Sequence, residues 1–68
     1  MQTIYVVITR EEPGTYGIFD NITKAKECAN KLRDECHYKE IYVEEWSSIF
    51  GSWQFSNSYT HYQINRDF

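Results

Sequence analysis

The amino-acid sequence predicts an α+β fold: a mostly antiparallel sheet in the order β-β-α-β-β, a fifth strand being an option, with one helix packed on one face. Two observations carry this. Asn21 to Cys36, NITKAKECANKLRDEC, places Ile22, Ala25, Ala29, Leu32 and Cys36 at alternating spacings of three and four residues, the period of one helical face. The segments before and after it read as strands. Its stripe therefore has a sheet to lie on.

In chain order, Gln2–Arg10 is the first strand. Its β-branched run suits a central position, with Ile4, Val6 and Ile8 on one side and Tyr5 and Val7 on the other. Glu11-Glu12-Pro13-Gly14 reads as a turn and Thr15–Phe19 as a short antiparallel strand, in which Gly17 marks a bulge or a close backbone approach. Asp20 or Asn21 caps the helix. Asp34 and Glu35 oppose the dipole at its far end, which predicts a fraying last turn. In Lys39–Trp46, Ile41 and Val43 alternate against Tyr42, Glu44 and Trp46. The first strand is expected between the second and third. After a loop at 47–52, Trp53–Phe55 reads as a fourth strand, Tyr59–Ile64 as a fifth and Asn65–Phe68 as a tail.

Sixty-eight residues make one domain, 1–68, with a small core. A net charge of −3 argues against nucleic acid as a partner. Cys28 and Cys36 lie eight residues apart on one helix, roughly 12 Å along its axis and beyond disulfide reach, which fits a reducing cytoplasm. MQTIYVVITREE lacks a basic leader and a long apolar run, so neither a signal peptide nor a membrane span is expected.

Cys28, Cys36, His37 and His61 have no zinc-ligand spacing. Cys36 with His37 or His61 lacks an orienting third group, and the glycines form no phosphate loop. The expectation is no enzyme, no metal and no cofactor. The carboxylate pairs Glu11-Glu12, Asp34-Glu35 and Glu44-Glu45 read as solvated turns, helix ends and strand edges.

The strongest functional signal is aromatic. Eight of the twelve aromatic residues fall in the last 27 positions, and a single helix can cover only one sheet face. Tyrosine and tryptophan bury large area at small entropic cost, which enriches them at interfaces. Tyr42, Trp46, Trp53, Phe55 and Tyr59 are the candidate partner-binding residues. A second mini-core built by the C-terminal strands is the structural alternative.

The pieces Ile4-Tyr5-Val6-Val7, Gly17-Ile18-Phe19, Lys24-Ala25-Lys26 and Tyr42-Val43-Glu44-Glu45-Trp46 resemble the pattern of small, uncharacterised phage and bacterial β-β-α-β domains. The resemblance covers residues 3–46 and implies a β-β-α-β core and a phage or mobile-element origin. It carries no catalytic residue. The leading expectation is a small, phage-encoded cytoplasmic accessory protein. It binds a host or phage protein, or itself as a homodimer, through the aromatic surface, with inhibition of the partner as one consequence. The alternative is a module that sequesters a nucleotide or similar small molecule. Its pocket lies at a dimer interface, using stacking aromatics with Lys39, Arg10 or Arg66.

Overall fold

A computed structural model describes residues 2–12 and 14–68. The elements are β1 (Gln2–Thr9), β2 (Gly14–Phe19), α1 (Ile22–Cys36), β3 (Ile41–Ile49), β4 (Ser52–Thr60) and α2 (His61–Asp67). The sheet runs β2-β1-β3-β4, every neighbouring pair antiparallel, with β1 between β2 and β3 as its apolar run predicts. The expected turn at 11–14 is seen at Glu11 and Glu12; Pro13 lies outside the described residues.

The sheet interrupts its own regularity where Gly17 stands. Val7 pairs with Gly17 and Ile8 with Thr15, so Tyr16 is an extra residue in β2. A Cβ on Gly17 would lie 2.6 Å from the Phe19 ring, so both a bulge and a close approach occur there.

The Asn21 side chain accepts from the amides of Thr23 and Lys24, starting α1. The expected fraying is not what the last turn shows. The helix continues to Cys36 and ends on His37 in the left-handed region, whose amide donates to the Arg33 carbonyl. Ala25 and Ala29 are buried, their small side chains bringing the helix close to the sheet, with Ile22 and Leu32 packed beside them. Cys36 departs from the stripe and is exposed, while Cys28 packs against the core. The departure is one of burial and not of phase, since about eleven residues make three helical turns; Cys36 is exposed because it is the last residue of the helix.

The C-terminal region differs most from expectation. One strand, β4, spans both Trp53–Phe55 and Tyr59, and the predicted fifth strand and tail are the helix α2. The Thr60 hydroxyl accepts from the Gln63 amide, and the Gln63 side chain accepts from the Thr60 amide, a capping box. Ile64 then enters the core with Val7, Ala25, Ala29, Ile41 and Val43. Two helices, not one, therefore share the same face of the sheet. The Cα positions extend 38 × 24 × 15 Å, the thin dimension holding one sheet and one helical layer.

The acidic turn after β1 is more than a solvated loop. Glu11 Oε1 accepts the backbone amides of Lys39 and Glu40, and Tyr38 donates its hydroxyl to Glu12. These bonds fasten the α1–β3 connection to the β1–β2 turn. The bond to Glu12 pushes the Tyr38 phenol well above its usual range.

Candidate functional site: the uncovered sheet face

Pairing register decides which side chains share a face, because residues directly opposite in an antiparallel pair project the same way. Val7 with Val43 and Thr9 with Ile41 face the helices. The alternate set, Ile4 with Trp46, Val6 with Glu44 and Ile8 with Tyr42, faces away from them. Ile18 joins this second face opposite Val6, and Phe55 and Trp53 join it opposite Trp46 and Ser48. The result is an apolar surface built from all four strands and covered by neither helix. Ile18 is 60% exposed, Phe55 53% and Trp53 46%. The Trp46 and Phe55 rings meet edge to face at 5.7 Å.

By the same register Gln2, Glu44, Ser48 and Ser58 are polar residues of this face. Glu44 lies between Val6 and Ser58 and accepts from the Trp46 indole N–H at 3.4 Å. At one end of the face the Arg10 guanidinium lies over the Tyr42 ring, 4.9 Å from its centroid.

Of the residues singled out in the sequence, Tyr42, Trp46, Trp53 and Phe55 are brought together here. Tyr59 is not among them. It pairs with Val43, packs against the core on the helix side and meets the Phe68 ring at 5.2 Å. Its phenol is pushed up by burial and by the nearby Glu45 carboxylate. The extra residue Ser56 explains the separation: Glu45 pairs with Asn57 but Trp46 with Phe55, so the alternation linking Tyr59 to Phe55 is broken between them. Ile4, Val6, Ile8 and Ile18 were missed as site residues. Alternation already grouped the first three, but only the register shows which face of β1 meets which face of β3.

Phe50 stands apart at the tip of the β3–β4 hairpin. Phe50 and Gly51 both have positive φ, 52° and 81°, the two-residue turn of type I′. Phe50 is fully exposed and its conformation is one that a bulky residue rarely adopts.

The histidine and cysteine positions bear on the chemistry weighed in the sequence. Arg33 can only donate, so His61 Nδ1 accepts from it at 3.0 Å, and His61 Nε2–H donates to Asn30 Oδ1 at 2.7 Å. Both ring nitrogens are thus committed to holding α2 on α1. Burial, and then Arg33, lower the His61 pKa. Burial pushes the Cys28 thiol up, disfavouring its thiolate. Among the described residues no group of three or more His, Cys, Asp or Glu side chains could hold a metal ion. Also among them, no helix is long and apolar enough to cross a membrane.

A shallow cleft of about 160 Å³ is lined by Arg33, Lys39, Glu40, Ile41, Tyr42, Thr60, His61 and Tyr62. No family model, no curated protein and no solved structure matches the chain.

Proposed function

We propose that the protein is a non-enzymatic binding module that docks another protein on its uncovered sheet face. One observation carries this: Ile18, Phe55 and Trp53 are large, apolar and about half exposed or more, on a face that both helices leave open. Such patches mark interaction surfaces, and ordered aromatic rings are their usual anchors. Tyr42, Trp46, Trp53 and Phe55 are the anchors, flanked by Ile4, Val6, Ile8 and Ile18. Glu44 in the middle of this surface favours a partner that brings a lysine or arginine among its apolar contacts. A phage-encoded accessory role in a host cytoplasm, with inhibition of the bound protein, is the biological setting that fits such a module.

The test is capture of partners from lysate by the intact protein and by an Ile18→Lys/Phe55→Lys variant. Both side chains are more than half exposed, and circular dichroism verifies that the variant is folded. One stoichiometric protein retained by the wild type and lost with the variant supports the proposal. Retention of the same protein by both removes this face as the docking surface.

The ligand-sequestering alternative has one supporting observation, the cleft that places Lys39 and Arg33 near Tyr42 and Tyr62. That cleft is smaller than the roughly 300–1,000 Å³ of ordinary small-molecule sites. Release of a compound absorbing near ~260 nm on denaturation, the nucleobase region, would favour it over protein docking.

A further inference from the structure

β4 is an edge strand, and the usual protections of an edge are absent from its outer half. Edge strands are ordinarily kept from pairing by charges, proline, bulges or a covering element. None of the ten acidic and seven basic residues lies between Trp46 and Asn65, which includes all of β4. The opposite edge, β2, is shorter and is flanked by Glu11, Glu12 and Asp20. The free stretch of β4 has defined ends. On one side is the turn at Phe50-Gly51; on the other is the bulge at Ser56, after which the Asn57 side chain takes the Ser58 amide at 2.9 Å.

What remains is Ser52-Trp53-Gln54-Phe55-Ser56, a segment that reads nearly the same in both directions and is exposed throughout. We infer that two copies of this chain join antiparallel along it, with the twofold axis at Gln54. In that register Ser52 meets the partner's Ser56, Trp53 the partner's Phe55, and Gln54 its own counterpart. Trp53 and Phe55 project to the uncovered face, so each pair adds an aromatic cross-strand contact beside the Trp46–Phe55 contact already present. The two sheets become one, and the two uncovered faces become one continuous aromatic platform.

The occupant is a second copy for reasons of charge and symmetry. Each chain carries −3, and an edge without acidic or basic residues lets two such chains meet without placing like charges opposite one another. Stacking two copies face to face would take the Glu44 carboxylate of each out of water with no basic residue among its cross-strand neighbours, Val6 and Ser58, to pair it, which disfavours that arrangement. A self-complementary segment is also what an isologous twofold contact requires.

Sedimentation of the full chain over a concentration series tests this, using the wild type, Gln54→Lys, Gln54→Glu and an equimolar mixture of the two variants. Gln54 is exposed, and circular dichroism verifies that each variant is folded. The wild type is expected to dimerise. Each variant alone should dimerise more than about tenfold more weakly, because like charges meet at the axis. The mixture should recover dimer, because lysine then faces glutamate. An Ile18→Lys variant, altered at the far edge of the sheet, should dimerise normally even if it loses a foreign partner. A wild type that stays monomeric overturns the inference. So does a dimer that both Gln54 variants leave unchanged, or a mixture that fails to recover it.

Discussion

Two isoleucines on opposite sides of the sheet, Ile64 from α2 and Ile18 from β2, offer a direct comparison. Ile64 is 0% exposed among Val7, Ala25, Ala29, Ile41 and Val43, whereas Ile18 is 60% exposed on the uncovered face. Ile→Ala removes the same atoms at both sites. Three carbons at about 0.8 kcal/mol each give a transfer contribution of about 2.4 kcal/mol when fully buried. The cavity left beneath α2 raises the Ile64→Ala cost to about 3–4 kcal/mol. At Ile18 only about 40% of the surface is lost to solvent contact. The space vacated there opens to water, so the expected cost is about 1 kcal/mol. A domain of this length has a total stability of roughly 3–10 kcal/mol, so the first variant is near the edge of folding and the second is comfortably folded. Urea denaturation followed by far-ultraviolet circular dichroism, at one fixed protein concentration, measures both. With an m-value of about 1 kcal/mol/M, the midpoints should fall by about 3 M and about 1 M respectively. Equal costs would refute the claim that the second face is open in solution. A cost below about 1 kcal/mol at Ile64 would refute the role of α2 in closing the core.

Two further outcomes are expected. His61 has a lowered pKa in the folded protein, caused first by burial and then by Arg33, so the unfolded chain binds its proton more readily. Stability is therefore full above about pH 6.5, the ordinary histidine value, and declines as pH falls below it. The slope between about pH 7.5 and 5.5 in denaturation midpoints should be reduced in His61→Gln, the remainder belonging to other groups. Phe50→Asn replaces a bulky residue in the left-handed region by one that tolerates it, at a site where the ring is fully exposed. The gain should be about 1 kcal/mol, raising the thermal midpoint by about 4–8 °C in a scanning calorimeter; an unchanged or lower midpoint contradicts the strain assigned to that turn.

How much of this was legible in the sequence depends on the range of the interaction. Alternation in β1 and β3, the three-four spacing in α1, the cap at Asn21 and the bulge at Gly17 are local consequences of backbone geometry, and each is readable within a few residues. The excess of C-terminal aromatics likewise pointed to a face that one helical layer could not cover. The helix α2 was harder to read. Seven residues are too few to show a period, and a helix that short is not stable in water without tertiary contacts. Its one local mark was Thr60 followed three residues later by Gln63, the capping-box pattern. Docking of Ile64 into the core, together with the His61 contacts to Arg33 and Asn30, holds it as a helix.

The site divides along the same line. Residue pattern alone grouped Ile4 with Val6 and Ile8, and Tyr42 with Trp46, because side chains alternate along a strand whatever it pairs with. It could not join the two groups into one surface, add Ile18, or move Tyr59 to the other side. Those assignments depend on register between strands distant in sequence, and on the extra residue Ser56, whose position is set by pairing with β3 rather than by anything in its own neighbourhood.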